Sequence, residues 1–216
     1  MTGGRNTFFE GPKTWASALG AEPEKKVFGQ APSFTRGYIK LADASRAFNF
    51  DFRGKVVLDI GSSTGGFTKY VLEHGAKKVI AVEKGTNQMV SPLRYDQRID
   101  LHEKTDIFNV KKLIRTPDVV VADVSFLSLT RVLAHTKRHI AGPHTDFLIM
   151  LKPQFEAKPD QLVKGIVKNE KTRREIIKNF EQWLKQNDFV TIKKRDNTLQ
   201  GKHGNKERFY WLRQSI

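Results

Sequence analysis

The stretch Lys55-Val-Val-Leu-Asp-Ile-Gly-Ser-Ser-Thr-Gly-Gly66 restricts the possible fold of this chain more than any other. A short apolar run dominated by β-branched residues predicts a buried strand. The glycines that follow predict a tight turn, and Phe67 to His74 has the pattern of a helix. Strand, glycine turn and helix in that order open a doubly wound sheet, whose ligands sit beyond the carboxyl ends of the strands where the strand order reverses. Gly61 would let the backbone turn sharply, while Gly65 and Gly66 remove side chains where a ligand must come close.

The rest of the chain repeats the alternation. Strands are expected at Lys78–Glu83, Val119–Asp123 and Phe147–Leu151, with a short apolar run at Ile99–Leu101. A helix near Leu127–His139 lies between two of them, and a long amphipathic helix runs from about Lys168 to Gln186. A strand near Phe189–Lys194 and a last one at Arg208–Leu212 enclose a basic loop, Asn197 to Lys206. Upstream, Pro32-Ser-Phe-Thr-Arg-Gly37 is expected to form a turn. It leads into a helix from Tyr38 to Phe48, with Lys40 near one edge of the apolar stripe. The expected class is α/β, a mostly parallel sheet covered on both faces. Residues 1–32, rich in Gly, Pro and Lys, are expected to form a loosely ordered basic arm, and residues 33–216 one domain.

Charge narrows the partner. Lys and Arg number 38 against 23 Asp and Glu, a net +15 on 216 residues. The last 65 residues, from Lys152 on, carry 16 of the basic residues against 8 acidic ones. Such an excess favours a polyanion, with nucleic acid ahead of anionic membrane. No window approaches the roughly 20 apolar residues of a membrane span, so membrane insertion is not expected. The first residues lack the charged-then-apolar pattern of a leader. With no cysteine there is no disulfide framework or thiolate metal site, and a reducing, cytoplasmic compartment is compatible.

Three acids suggest a nucleoside ligand. Asp59, just before the loop, suits a cationic group, whereas a dinucleotide pyrophosphate would want a helix N-terminus. The spacing Gly61-x-x-x-Gly65-Gly66 also departs from the dinucleotide G-x-G-x-x-G. Glu83, ending the second strand, can accept hydrogen bonds from two ribose hydroxyls, a role common to both ligand types. Asp106 has two equal readings, a contact to an adenine amino group or the N-cap of a helix over Ile107–Leu113. S-adenosylmethionine is therefore expected ahead of the dinucleotides.

Two opposite charges end adjacent apolar strands: Asp123 after Val119-Val-Val-Ala, and Lys152 after Phe147-Leu-Ile-Met-Leu. Either alone could be a helix cap or a snorkelling lysine. Together, beside the glycine loop, they mark a site, since charge at the inner end of a buried strand is costly unless paired or used. Pro153 keeps Lys152 extended.

Lys40, Asp123, Lys152 and Glu207 occur in the order and approximate spacing of the Lys-Asp-Lys-Glu tetrad of FtsJ-like 2′-O-methyltransferases. Five words narrow this: Thr35-Arg-Gly-Tyr-Ile-Lys-Leu41, Leu58-Asp-Ile-Gly-Ser-Ser-Thr-Gly-Gly-Phe67, Asp123-Val-Ser-Phe-Leu-Ser128, Leu151-Lys-Pro-Gln-Phe-Glu156 and Gly204-Asn-Lys-Glu207. They resemble the TlyA family, whose members are known both as haemolysins and as ribosomal RNA cytidine-2′-O-methyltransferases. The resemblance runs from about Ser33 to the C-terminus. It implies a Rossmann-like class I methyltransferase, a seven-stranded sheet with an antiparallel C-terminal strand. It also implies S-adenosylmethionine as cofactor and ribosomal RNA or ribosomal subunits as partner. Cofactor contacts are then expected from Asp59, Gly61, Ser63, Thr64, Gly65, Gly66, Phe67, Glu83, Asp106 and Asp123, and chemistry from Lys40, Asp123, Lys152 and Glu207.

The chain departs from the family in two places. Members usually begin with an S4-type RNA-binding domain, for which residues 1–32 are too short and irregular, and Glu83 stands where Asp is more usual. Lys152 is expected to act as a base or to orient the hydroxyl. Burial and the Lys40 charge would favour the first, and Asp123 opposes it. Glu207 could hold one of the lysines or the hydroxyl. Arg36, Lys164, Lys202, Lys206 and Arg208, with His203, form a candidate phosphate track. Phe126 and Phe155 are expected mainly in the core, with stacking on an extruded base as the other reading. A non-catalytic RNA-binding factor could lose the tetrad, and a membrane-lytic protein would leave it unexplained.

Overall fold

The computed structural model describes residues 33–201 and 204–215. The expected basic arm at residues 1–32 lies outside the described residues.

Seven strands form one sheet: β1 (Val56–Ile60), β2 (Lys78–Val82), β3 (Ile99–His102), β4 (Val119–Ala122), β5 (Asp146–Leu151), β6 (Phe189–Asp196) and β7 (Arg208–Gln214). Their order is β3-β2-β1-β4-β5-β7-β6. β3 to β5 pair in parallel, and β7 runs antiparallel to both β5 and β6. This is the expected mostly parallel sheet with an antiparallel C-terminal strand. The chain leaves β1 in one direction toward β2 and returns on the other side as β4, so the order reverses between them. There the carboxyl ends splay open a crevice.

The strands are buried on both faces, and the period of two divides their side chains between two cores. Val56, Leu58 and Ile60, with Val120, Ala122, Phe147, Ile149 and Leu151, pack beneath the helices α3 (Leu129–His139) and α5 (Glu170–Gln186). Val57, Val119, Val121, Leu148 and Met150 pack on the other side, beneath α1 (Ser33–Phe48) and α2 (Gly66–Glu73). Asp59 shares its face with Val57 by the same alternation, so its carboxylate points toward α2.

Most element ends fall within a residue or two of expectation, and two segments differ. Ser33 to Gly37 is helix, not turn. A proline is tolerated just ahead of the first helical turn, where its missing N–H leaves no bond unmade, and Gly37 lies against Gly66 of α2. After Asp106 only one 3-10 turn forms, Ile107–Asn109, instead of a helix to Leu113. Val110 and Leu113 pack instead against the core below α3. The start of α5 is capped by Asn169, whose side chain accepts from the amides of Lys171 and Thr172. A short turn, α4 (Pro153–Glu156), follows β5.

Candidate active site

Two cavities open at the carboxyl ends of the parallel strands. The first, of about 450 Å³, includes Gly61, Glu83, Lys84, Asp106, Asp123 and Phe126 in its wall. The second, of about 200 Å³, is walled by Arg36, Lys40, Thr64, Phe67, Lys152 and others. Gly61, Ser63, Asp123 and Ser125 belong to both. The cavities therefore meet where the glycine loop faces the end of β4.

The loop is shaped by its glycines. Gly61 has φ +78°, and a Cβ there would lie 3.1 Å from the Asp123 carbonyl oxygen. Gly65, at φ +94°, caps α2 from the left-handed region. Beneath the loop Asp59 is fully buried. Thr68 Oγ1 donates to its Oδ2 at 2.6 Å, while Oδ1 is buried without a partner. Burial pushes the carboxyl up to about 7, against the lowering by Thr68, with the charges of Asp123 and Glu83 adding to the rise. The Ser62 hydroxyl is also buried and unpartnered. An unmet carboxylate oxygen under a glycine cradle fits a ligand bearing positive charge. Asp59 and Gly65 shape this region from outside both cavity walls.

Glu83 braces the loop: its two oxygens accept from the amides of Ser63 (2.9 Å) and Gly85 (2.6 Å). Each oxygen keeps a second lone pair for a hydroxyl donor. Of the two readings of Asp106, the structure shows the cap. The residue caps the 3-10 turn through the Phe108 amide at 3.1 Å and also lines the first cavity, paired with Lys84 at 3.0 Å. The Phe108 amide, opposing burial and aided by Lys84, holds its carboxyl below the usual range.

Sheet register assembles the charged groups. Leu151 of β5 pairs with Arg208 of β7, so the next residues outward, Lys152 and Glu207, leave the sheet at the same end. Asp123 leaves β4 beside them, and Lys40 reaches in from α1. Two ion pairs result. Lys152 Nζ lies 2.5 Å from Asp123 Oδ1 and donates to Ser125 Oγ at 2.9 Å. Lys40 Nζ lies 2.5 Å from Glu207 Oε2, with side-chain exposures of 7% and 3%. Lys40, Asp123 and Lys152 face the second cavity, and Glu207 stands behind Lys40. Gly201 leaves room for that carboxylate, since a Cβ there would come within 2.7 Å of Glu207 Oε1.

The candidate phosphate contacts divide. Arg36 borders the second cavity and donates to the Gln200 carbonyl at 2.9 Å. Lys164, with Gly165, forms the tip of a bridged turn between Val163 and Ile166, both at positive φ. Lys206 is paired with Glu170, and Arg208 with Asp196 at 2.6 Å. Lys202 and His203 lie outside the described residues.

Phe126 corrects the expectation of core packing. It is 88% exposed, at φ +62°, and lines the first cavity. Its ring centroid is 5.1 Å from that of the half-buried Phe155. A positive φ on a bulky residue is strained, and such strain concentrates at functional sites. Sequence reasoning also missed Ser125 and Gln88. Ser125 follows Asp123 by two residues, and that adjacency was the available signal. Gln88, which accepts from Ser63 Oγ at 3.3 Å, carried none.

The model of the FtsJ-like methyltransferase family matches residues 34–214. Over 172 residues the chain is 35% identical to hemolysin A of Brachyspira hyodysenteriae, covering 78% of this chain and 71% of that one. Over 181 residues it is 32% identical to the 23S rRNA (cytidine-2′-O)-methyltransferase TlyA of Campylobacter jejuni, covering 82% and 69%. A Bacillus subtilis relative is 37% identical over 150 residues, and the chain spans only 53% of its length. A solved hemolysin-type structure from Lactococcus lactis superposes with TM-score 0.78 at 34% identity, covering 82% of this chain and 86% of that one. A Burkholderia thailandensis N1-methyltransferase, solved with S-adenosylhomocysteine, shares the fold at TM-score 0.57 and 16% identity.

Proposed function

The chain belongs to the FtsJ-like methyltransferase family, and from that premise we propose that it methylates a ribose 2′-hydroxyl of structured RNA, at a cytidine of ribosomal RNA. The observation that carries this reading is the meeting of the two cavities at Asp123, with Lys152 clamped beside it and the Lys40–Glu207 pair behind.

S-adenosylmethionine supplies the methyl group from its sulfonium when bound. Glu83 would hold its ribose hydroxyls, Asp106 its adenine end, and the Gly61–Phe67 loop its amino-acid end, with Asp59 supplying negative charge from beneath. The acceptor ribose would enter the second cavity.

The residues of the second cavity then do the aligning. An ammonium has three donors. At Lys152, Asp123 and Ser125 take up two of them, which leaves one for the acceptor oxygen. This supports an orienting role, with a lone pair of the oxygen turned toward the methyl carbon and the hydroxyl proton released to solvent water at the open cavity as the oxygen is methylated. Alignment of that kind is worth roughly 7–11 kcal/mol in well-oriented reactions. The Lys40–Glu207 pair would fix the wall on which the ribose rests. Phe126, exposed beside Lys152, would stack on the unpaired base, as aromatic side chains do with single-stranded RNA. Ribosomal RNA as substrate places the work in the cytoplasm. Among the described residues no helix is long and apolar enough to cross a membrane.

Incubation with methyl-labelled S-adenosylmethionine and isolated ribosomal subunits tests the reading, with Lys152→Ala as control. Label is expected in RNA with the wild type and reduced about 100-fold or more in the variant. Unlabelled RNA from every subunit would overturn it.

A further inference from the structure

We propose that the outer flank of α3, with segment 111–115, is a second surface for the phosphate backbone of the RNA substrate, separate from the cations at the cavities. The proposal rests on the reading of RNA as substrate.

Between Ile107 and Thr145 the chain has six Lys and Arg but only two Asp, a ratio of three to one against 38 to 23 overall. Both acids are spent elsewhere: Asp118 Oδ2 accepts from the Val56 amide at 2.7 Å, and Asp123 holds Lys152. Among the described residues no ion pair involves Lys111, Lys112, Arg115, Arg131 or Arg138. All five are exposed. The C-terminal third, where the sequence concentrates charge, is neutralised in part, although no ion pair among the described residues involves Lys171, Arg174 or Lys178, among others. There Arg173, Lys194, Arg195, Lys206 and Arg208 are all paired with carboxylates.

Arg131, Arg138 and Lys111 gather on one surface, and Lys112 and Arg115 follow in the same segment. Segment 108–111 lies along α3. The Phe108 ring meets His135 edge-on at 5.4 Å and lies 5.2 Å below the Arg131 guanidinium. His135 Nε2 is 2.8 Å from the Val110 carbonyl oxygen, and its ring lies 4.8 Å from that of His139. Burial first, then the charges of His135, Arg138 and Lys111, push the His139 imidazole below its ordinary range. Positions 131, 135 and 138 share a flank of the helix and extend over about 10 Å. The row begins one turn from the Phe126–Ser128 loop that borders the first cavity.

Two simpler explanations fall short. Basic residues complement a helix dipole in the last turn, which accounts for Lys137, Arg138 and His139. Arg131, however, stands in the first turn, where a cation opposes the dipole, and Lys111, Lys112 and Arg115 lie outside the helix. A membrane-surface helix would show an apolar face. That face of α3, with Leu129, Val132 and Leu133, is buried in the core, and Ile114 is the exposed large apolar residue within the segment.

The test compares Lys111→Ala/Arg138→Ala with Lys77→Ala/Lys185→Ala, an equal loss of exposed charge elsewhere, in the full chain. Binding to purified large-subunit ribosomal RNA is titrated with salt, and binding to phosphatidylserine vesicles is measured in parallel. The first pair should lose about tenfold in RNA affinity and lower the salt slope by roughly 1.4–1.8, that is, 0.7–0.9 per lost phosphate contact. S-adenosylmethionine affinity should stay unchanged in both pairs. Equal RNA affinities and slopes for the two pairs would overturn the proposal, as would a loss confined to vesicle binding. Failure of the wild type to bind RNA at all would instead sink the functional reading on which the proposal stands.

Discussion

At the residue scale, Asp59 and the Lys40–Glu207 pair make opposite demands on stability. A carboxyl pushed up to about 7 by burial favours the folded state while it is protonated. Its contribution is fully present below the ordinary carboxyl value near 4 and is lost as pH rises toward 7. The ligand-free protein should therefore melt at a lower temperature at pH 8 than at pH 5 through this group. In Asp59→Asn the difference between the two pH values should narrow, as thermal unfolding would show. An unchanged difference would mean that the burial of Asp59 does not govern it. Glu207 carries the second demand. Glu207→Ala strands a buried ammonium, at a cost of roughly 3–5 kcal/mol, whereas Lys40→Met/Glu207→Leu should recover most of that stability without recovering methyl transfer. Recovery of both would make the pair purely structural. The sequence placed all four charged groups by order and spacing, yet could not say that Glu207 holds Lys40. That pairing depends on how α1 crosses the end of β7. Nor could it show Phe126 exposed, because a phenylalanine after a buried strand is ordinarily core and only the positive φ turns it outward.

At the element scale, what was legible followed from burial. β1, β4 and β5 are covered on both faces, so their near-continuous apolar runs announce them. α5 was equally plain, since it has one apolar stripe. The start of α1 was hidden because Pro32 and Gly37 suggest a turn, although neither breaks a helix where it stands. Asp106 misled in part, since a good capping residue does not guarantee that the helix it could start will continue. Capping also separates structure from function here. Asn169→Ala should cost about 1 kcal/mol in unfolding free energy and leave methyl transfer unaltered, since α5 begins away from both cavities. Glu156 caps α3 through the Leu129 amide at 2.6 Å and Ser128 Oγ at 2.7 Å. It thereby ties the turn after Lys152 to the loop carrying Phe126. Glu156→Ala should cost a similar amount in denaturant unfolding but, unlike Asn169→Ala, should also reduce kcat at least tenfold. A stable variant with unaltered turnover would show that the two loops hold their places independently.

At the scale of the whole molecule, a net charge of +15 pointed toward a polyanion but not toward a surface. Charge counted along a chain ignores which cations the fold neutralises, and here carboxylates neutralise part of the most basic third. In the proposed reaction a cofactor cavity and an acceptor cavity would share one charged wall. The atom that is methylated can be read with alkali, because a methylated 2′-oxygen cannot attack the adjacent phosphodiester. After reaction of the wild-type protein with labelled S-adenosylmethionine and ribosomal subunits, the RNA is hydrolysed in alkali and its products are separated. Label is expected in alkali-resistant dinucleotides whose methylated nucleoside is 2′-O-methylcytidine. Label recovered in mononucleotides, and so carried by a base, would contradict methylation of the 2′-oxygen.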